Sequence, residues 1–452
     1  MVGRRRGQPR PPPHLALTPA PREEPPMTDT GFTLTVDQNK YLPPGASEMA
    51  AVLAVECTTA QAPDAEVAEV IVIDRSPSMG GSKLAEAKRA AKAALDALRE
   101  DARFAIVAGG HDAREVYPGG GALATATAEH RKNAAAAIDK MVIGNLTYTG
   151  VWLRCAADLL ASRPAAIGHV LLLTDGMVNQ DAASYTADLD YCAGKFTCDA
   201  VGIGTDWDPD ELKQIADRFQ GTRAFIEDLA DLTDYFTEVC GKAMGKAYGD
   251  VAILVKTPVD AALTSLRQVY PTLQDLAEHR RDADARGALF PLSAWGTETR
   301  EYLLEVSGPA WPVGEELRAA QVLVVRGPDR EVLARGNVLM CWADDPVRTG
   351  QVNPKVAAYT GQERIAEHVT AGLAALAAHD PATATSHLGT ARRLAGEVGN
   401  EGTARILDRL VDFDPGTGTA RLKPGVSAAD RFQAEVGTDR TVRTPTKRTE
   451  QP

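Results

Sequence analysis

The sequence lacks an apolar run long enough to cross a membrane. Such a helix needs about 20 consecutive apolar residues, and none occurs among the 452 residues of the chain. The arginines at positions 4–6 are followed by proline-rich sequence instead of an apolar segment, which makes a poor secretory signal. We therefore expect no contact with a membrane.

Basic and aromatic residues are also scarce. Lysine and arginine together number 49 against 61 acidic residues, which gives a formal net charge of −12, and aromatic residues make up only 5% of the chain. Aliphatic side chains and alanine must therefore form the core. General nucleic-acid binding requires a basic surface, so we expect no nucleic-acid partner.

The cysteines lack the close spacing of metal or redox motifs. None of them forms a Cys-x-x-Cys pair, and most lie in apolar or helical stretches, where a free cysteine acts as a small hydrophobe. Reduced, buried thiols fit a cytoplasmic protein. The six positions are Cys57, Cys155, Cys192, Cys198, Cys240 and Cys341.

Common enzyme motifs are missing as well. The chain has no Gly-x-x-x-x-Gly-Lys-Ser/Thr loop, no Gly-x-Ser-x-Gly elbow and no His-Glu-x-x-His. Gly202-Ile203-Gly204 is a weak dinucleotide-binding signal, because Trp207 stands where the third glycine would be. These absences predict a protein that is not an enzyme.

The pattern between residues 67 and 244 alternates apolar strands with amphipathic helices. Continuous apolar strands are typical of a parallel sheet that helices cover on both faces. The sequence therefore predicts a doubly wound, mostly parallel α/β domain. Its predicted strands are Val67–Ile73, Arg103–Ala108, Val170–Thr174 and Asp199–Ile203.

The flanking regions have different patterns. Residues 30–60 contain two predicted strands, and residues 250–346 contain several more without helices. Because a two-stranded hairpin is marginal alone, we expect both regions to form one discontinuous β-sandwich with the α/β domain inserted. Residues 354–411 return to helical periodicity and predict a small helical bundle.

Both ends of the chain are predicted to be disordered. Residues 1–29 are basic and proline-rich, and Met27 within them is a candidate start of the native chain. Residues 412–452 are rich in threonine and basic residues. Such a tail suits a Ser/Thr kinase and a phosphothreonine reader, which gives a signalling scaffold as an alternative function, although a solvated terminus is simpler. Its threonines are Thr438, Thr441, Thr444, Thr446 and Thr449.

The most informative segment follows the first strand of the α/β domain. Asp74, Ser76 and Ser78 come directly after Glu69–Ile73, spaced by two residues. Hard cations such as Mg²⁺ take oxygen ligands, and alternate side chains leaving a strand can face one ion. The alternative is an Asx or serine turn that only ends the strand.

Two further segments offer oxygen atoms at the same edge of the predicted sheet. Thr147 and Thr149 lie at a loop-to-helix junction, and Asp175 follows the strand Val170–Thr174. Ligands of a doubly wound sheet bind at the carboxyl ends of its strands, at the switch point of strand order. Hydroxyls and two carboxylates, completed by water, would suffice for Mg²⁺.

These residues resemble the metal-ion-dependent adhesion site, MIDAS, of the von Willebrand factor A (VWA) domain. The resemblance spans residues 67–240, and the wider layout is similar to cytoplasmic bacterial VWA proteins. It implies Mg²⁺, or Mn²⁺ or Ca²⁺, held by Asp74, Ser76, Ser78, Thr147 and Asp175. It further implies a non-catalytic module in which a partner protein's Asp or Glu binds the metal.

Two positions qualify this resemblance. The Gly-x-Trp-Leu sequence after Thr149 favours Thr147 as the ligand. Pro77 stands where family members commonly have glycine, and its fixed φ stiffens or alters the loop. A metal-dependent hydrolase is less favoured, because a two-metal site would need more carboxylates.

Overall fold

The computed structural model describes residues 30–58 and 65–443. The predicted disorder of residues 1–29, the candidate start at Met27 and three tail threonines lie outside the described residues. Those threonines are Thr444, Thr446 and Thr449.

The α/β domain is present with the predicted doubly wound architecture. Its sheet has the strand order β10-β9-β8-β4-β5-β6, with β7 also paired to β5, and all pairs from β10 to β5 are parallel. The antiparallel strands β6 and β7 and the edge strand β10 were not predicted. The strands are β4 (Val67–Asp74), β5 (Arg103–Gly109), β6 (Ala113–Tyr117), β7 (Ala124–Thr125), β8 (Ile167–Thr174), β9 (Thr197–Ile203) and β10 (Arg223–Ile226).

Helices cover both faces of this sheet. Alternate residues of β4 enter different cores: Ile71 and Ile73 pack with α1 and α6, whereas Val70 and Val72 pack with α3 and α5. Burial on both faces explains why β4 is apolar without alternation. The helices are α1 (Ser82–Ala97), α2 (Ala128–Asp139), α3 (Thr149–Leu160), α4 (Ala182–Cys192), α5 (Pro209–Arg218) and α6 (Leu232–Met244).

The position of β4 in the sheet creates a switch point. The chain passes from β4 to its neighbour β5 on one side and later returns to β8 on the other side. The loops after β4 and β8 therefore diverge at the carboxyl edge of the sheet, and they leave a crevice between them.

The strands before residue 60 pair with strands that follow the α/β domain. One sheet has the order β1-β3-β16-β12-β13, and the other has the order β14-β15-β11-β17-β18-β2. Both sheets contribute to one apolar core, for example through Leu53, Tyr302, Ile253 and Trp342. The first sheet contains β1 (Phe32–Gln38), β3 (Glu48–Cys57), β12 (Ala262–Tyr270), β13 (Gln274–Asp275) and β16 (Glu298–Ser307). The second contains β2 (Tyr41–Leu42), β11 (Val251–Lys256), β14 (Arg281–Asp284), β15 (Gly287–Pro291), β17 (Glu316–Arg326) and β18 (Glu331–Trp342).

The C-terminal region is helical, with a short hairpin. Two of its helices are separated at Asp380-Pro381: Asp380 caps α9 by accepting from the Thr383 amide, and Pro381 is the first residue of α9. The elements are α7 (Pro346–Thr349), α8 (Pro354–Ala377), α9 (Pro381–Glu397), α10 (Glu401–Leu407), β19 (Val411–Asp414), β20 (Thr419–Leu422) and α11 (Ala428–Gly437).

The prediction that the tail is disordered from residue 412 is wrong for residues 412–443. The hairpin β19–β20 packs on α9, and α11 buries Ala434 and Val436. Composition misled the prediction because the partners of this segment lie elsewhere in the chain. Thr438 is 8% exposed, and the Thr441 hydroxyl donates to the Val269 carbonyl, so both are engaged in the fold.

A cavity of about 870 Å³ lies at the opposite edge of the α/β sheet from the switch point. It is lined by residues at the amino ends of β8 and β9, including His169 and Asp199, and by Arg300 from the neighbouring sheet. These charged side chains are already paired with protein groups. Across residues 30–58 and 65–443, no helix is long and apolar enough to cross a membrane.

Candidate metal centre

Asp74 is the last residue of β4, and its side chain is fully buried. One carboxylate oxygen accepts from the Ser76 amide at 2.7 Å, and the other accepts from the Thr174 hydroxyl at 2.7 Å. The turn that was the alternative to a ligand role is therefore present and orients the carboxylate. Burial raises the pKa of Asp74 to about 6, although the Ser76 and Thr174 hydrogen bonds oppose this shift.

Pro77 fits the loop without distortion. It begins a short 3-10 turn over Pro77–Met79, where a fixed φ is suitable and a backbone donor is not needed. Ser76 before it has φ −56° and ψ 163°, the extended conformation that a residue preceding proline prefers. The turn places the hydroxyls of Ser76 and Ser78 side by side, 2.9 Å apart.

Asp175 follows β8 and approaches the two serines from across the switch point. Its side chain is fully buried. The Ser78 hydroxyl donates to Asp175 Oδ1 at 2.7 Å, and the Ser76 hydroxyl donates to the same oxygen at 3.4 Å. The loops after β4 and β8 are thus joined through one carboxylate oxygen.

Thr147 completes the group from a third loop. The Thr147 backbone amide donates to Asn179 Oδ1 at 2.9 Å, and the Asn179 backbone amide donates to the Thr147 carbonyl at 2.8 Å. This pair of hydrogen bonds fixes the loop before α3. Thr149, the alternative residue, is instead the first residue of α3 and is buried there.

The three hydroxyls converge on one point beside Gly176. A Cβ atom built on Gly176 would lie 3.4 Å from the hydroxyl oxygens of Ser78 and Thr147 and 3.9 Å from that of Ser76. Thr149 is not among these neighbours. A side chain at position 176 would therefore fill the space that the hydroxyls share.

The spacing of these oxygens fits a small divalent cation. Neighbouring ligands of an octahedral ion with bonds near 2.1 Å lie about 3 Å apart. The contacts among Ser76, Ser78 and Asp175 measure 2.7, 2.9 and 3.4 Å. Within the described residues, no group of three or more His, Cys, Asp or Glu side chains is placed to hold a metal. A cation here would therefore depend on hydroxyl oxygens as well as the two carboxylates.

Lys83, near the start of α1, also reaches the site. Its ammonium group donates to Asp175 Oδ2 at 2.6 Å, and its side chain is 23% exposed. Sequence reasoning missed this residue, because a lysine at the start of a helix usually faces solvent. Its position five residues after Ser78 was the only available signal.

Arg75 fills the space between the loops that carry the hydroxyls. Its guanidinium group pairs with Asp112 at 2.6 Å, and its side chain is 7% exposed. A Cβ atom at Gly144 would overlap this guanidinium group, so the loop before α3 packs directly on it. Arg75 therefore supports the loops, and it shares the Asp112 carboxylate with Arg114, which pairs with the other oxygen at 3.1 Å.

The weak dinucleotide signal at Gly202 has a packing explanation. A Cβ atom at Gly202 would lie 2.3 Å from the ring of Trp207. The ring is almost fully buried, and its Nε1 donates to the Gly204 carbonyl at 2.9 Å. The glycine therefore makes room for tryptophan, and the segment forms no phosphate-binding loop.

Exposed apolar side chains lie on two of the loops that carry the oxygen cluster. They lie on the loop before α3 and on the loop after β8, which are the loops that carry Thr147 and Asp175. We call this group the apolar rim. It consists of Val142 (67% exposed), Ile143 (39%), Leu146 (47%) and Met177 (61%).

Two family descriptions match this chain. A von Willebrand factor type A domain matches residues 68–225, and a von Willebrand factor type A C-terminal domain matches residues 393–438. The first match includes all the clustered oxygens. The second includes most of the C-terminal segment that composition wrongly predicted to be disordered.

Individual proteins extend this likeness. The structure of von Willebrand factor type A from Catenulispora acidiphila is 37% identical, covers 92% of this chain and 97% of its own, and has a TM-score of 0.87. The ArnB paralog VWA2 from Sulfolobus acidocaldarius covers 91% and 100% with a TM-score of 0.58, but at 13% identity it shows the shared fold alone. An uncharacterized protein from Synechocystis sp. is 26% identical over 223 residues. The match covers 47% of this chain and 51% of that protein, so the chain spans about half the length of this relative.

Proposed function

The chain belongs to the von Willebrand factor type A family, and from that premise we propose that it is a non-catalytic docking protein. Domains of this family typically mediate protein–protein interactions. In this proposal a divalent cation is held at the switch point of the sheet, and a carboxylate of a partner protein binds to it.

The convergence of three hydroxyls on one point beside Gly176 is the observation that carries the proposal. Ser76, Ser78 and Thr147 would hold the cation through their hydroxyl oxygens. Asp74 and Asp175 would hold it directly or through water. When bound, Mg²⁺, Mn²⁺ or Ca²⁺ would supply a concentrated positive charge with an exchangeable coordination position.

The protein's own groups prepare the site for this role. The Ser76 amide and the Thr174 hydroxyl fix the Asp74 carboxylate. The Asn179 side chain fixes the loop of Thr147. Because protein groups fix these side chains and this loop, little rearrangement is needed to form the oxygen cluster.

The apolar rim supports a protein partner over a small ion or metabolite. Clustered exposed apolar side chains are typical of protein interaction surfaces. An acidic chain with net charge −12 repels acidic partners at a distance. A partner carboxylate is therefore attracted only where a cation is held, and apolar contacts would supply the remaining affinity.

A cytoplasmic location belongs to the same proposal. Five cysteines have free thiols, and three of these five are buried: Cys155, Cys192, Cys198, Cys240 and Cys341 are free, and Cys192, Cys198 and Cys240 are buried. Free thiols persist in a reducing compartment. Thiol labelling of the native protein in intact cells, with full labelling only after denaturation and lysis, would support this location, whereas native disulfides would contradict it.

The first experiment measures cation binding directly. We expect isothermal titration of the full chain with Mn²⁺ to give one site, which Ser78→Ala combined with Thr147→Ala weakens at least about tenfold. Ser82→Ala is the matched control, because Ser82 is exposed at the start of α1. Absence of Mn²⁺ and Mg²⁺ binding to the unaltered chain would overturn the proposal.

The second experiment tests docking. Partner proteins captured with Mg²⁺ should be released by EDTA, and they should be absent from Asp74→Ala but retained by Ser82→Ala. Partners that remain bound to Asp74→Ala in EDTA would show that docking does not use the cation.

A further inference from the structure

The two oxygens of the Asp175 carboxylate have different partners. Oδ1 accepts from the hydroxyls of Ser78 and Ser76, on the side of the oxygen cluster. Oδ2 accepts from the Lys83 ammonium at 2.6 Å. Lys83 thus occupies one side of a fully buried carboxylate and leaves only the other side available for a cation.

The fold makes room for this contact. Gly204, after β9, has φ +71°, a conformation that favours glycine. A Cβ atom there would lie 3.0 Å from Lys83 Nζ and 3.4 Å from its Cε. Any larger residue at position 204 would crowd the lysine side chain. The absence of a side chain at Gly204 therefore leaves the space in which Lys83 extends from α1 to Asp175.

Lys83 changes the net charge of the site. Asp74 and Asp175 contribute two negative charges and Lys83 contributes one positive charge. Arg75 is left out of this sum, because its guanidinium group pairs with Asp112, which also pairs with Arg114, and not with Asp74 or Asp175. With a divalent cation the site is therefore net positive by one unit, whereas without Lys83 it would be neutral.

We propose that Lys83 is a specificity-determining residue, which keeps the cation-loaded site net positive and so directs it to anionic ligands such as a carboxylate. This inference rests on the proposed function. The same charge repels the cation, so Lys83 also weakens cation binding and keeps it exchangeable. Lys83 therefore lowers the affinity of the site for the cation and raises the affinity of the cation-loaded site for the partner's carboxylate.

The test compares Lys83 variants of the full chain by Mn²⁺ titration. Removing the charge in Lys83→Met or Lys83→Gln should tighten Mn²⁺ binding by about tenfold, the effect expected of a partly exposed charge beside an ion. Lys92→Met is the matched control on the same helix, because Lys92 pairs with Asp139 away from the site. It should change Mn²⁺ affinity less than about twofold.

A second readout uses acetate as the carboxylate probe. Acetate that binds to protein-held Mn²⁺ displaces water and lowers the water-proton relaxation enhancement. The acetate concentration needed for half of this effect should rise several-fold in both neutral variants but not in Lys92→Met. A merely structural lysine would instead weaken Mn²⁺ binding, and Lys83→Met would then be worse than Lys83→Gln, which retains a donor.

The outcomes separate the two ideas. If the unaltered chain binds Mn²⁺ and both neutral variants bind it equally or more weakly, the role of Lys83 is rejected and the proposed function stands. If only the neutral variants bind Mn²⁺, the repulsion by Lys83 is supported while the metal-dependent function of the unaltered chain is rejected. If no protein binds Mn²⁺, both are rejected.

Discussion

Phe432, on the helix that follows the C-terminal hairpin, stacks on Trp207 of the α/β domain with ring centroids 4.8 Å apart and an interplanar angle of 18°. Phe225 contacts both rings, at 5.8 and 5.9 Å between centroids. These aromatic contacts stabilise the packing of α11 against the α/β domain.

Phe432→Ala should therefore destabilise the protein. We expect a loss of about 2 kcal/mol, below the roughly 3–5 kcal/mol of a fully buried phenylalanine, because Phe432 is only half-buried. Urea unfolding followed by tryptophan fluorescence would measure it. Val259→Ala is the control, since Val259 is 69% exposed and should change stability by less than about 0.5 kcal/mol. Equal losses in both variants would mean that α11 is not held by this contact.

Glu301→Ala should destabilise the protein by about 3 kcal/mol, because the buried Tyr359 hydroxyl loses this carboxylate acceptor and the buried Lys355 keeps only the more distant Asp37 carboxylate, at 3.2 Å, of its two. The fully buried Glu301 carboxylate accepts from Lys355 at 2.9 Å, from Arg443 at 3.1 Å and from the Tyr359 hydroxyl at 2.5 Å. Glu305→Ala on the same strand is the control. Glu305 is 41% exposed where it pairs with Arg267, so its removal should cost less than about 1 kcal/mol in chemical unfolding.

Stability should depend on the charge of His169. Its Nδ1 bonds to Glu69 at 2.8 Å and its Nε2 bonds to Asp199 at 3.1 Å, on three adjacent strands. Burial opposes the charge of the imidazolium, but the two carboxylates outweigh it and raise the pKa of His169 to about 10. The charged imidazolium therefore stabilises the fold fully at pH values below the ordinary pKa of 6.5. This contribution is lost as the pH rises through the folded-state pKa of about 10.

We therefore expect the free energy of unfolding to fall between pH 6.5 and 10 by more in the unaltered chain than in His169→Gln. The variant should be less stable by about 3 kcal/mol at pH 6, and the difference should shrink towards pH 10. Urea unfolding at several pH values would measure it. A difference that stays constant with pH would mean that His169 acts through packing instead of charge.

Pro77→Ala should have two separable effects. Loss of the ring frees the unfolded chain and should cost about 0.5–1 kcal/mol of stability. It also loosens the turn that places Ser76 beside Ser78, so Mn²⁺ affinity should fall. Pro312→Ala, in an exposed loop, is a control that should alter Mn²⁺ affinity little. Unchanged Mn²⁺ affinity in Pro77→Ala would show that the turn is rigid without proline.

The oxygen cluster could be predicted because its pattern is local. Asp74, Ser76 and Ser78 leave one strand at regular spacing, and the strand ends of a parallel sheet meet at one edge. The α/β strands were predicted for a similar reason, since burial on both faces makes them continuously apolar.

Contacts between distant segments could not be predicted in this way. The Lys83 contact joins residues 92 positions apart and depends on the backbone conformation of Gly204. The C-terminal segment is ordered partly because Phe432 stacks on Trp207. The sequence around Trp207 gave no sign of this packing, because its glycines suggested a dinucleotide-binding loop. Neither relationship leaves a periodic pattern in the sequence.

The insertion of the α/β domain between β3 and β11 has a consequence for synthesis on the ribosome. β3 pairs with β16, so the first sheet stays incomplete until residues 298–307 have emerged. The inserted domain has all its strands by residue 226 and its last helix by residue 244. Domains fold as units during synthesis, so the part of the chain that carries the oxygen cluster is the first able to close its own core. The strands that precede it must wait, unpaired on one side, for partners made later.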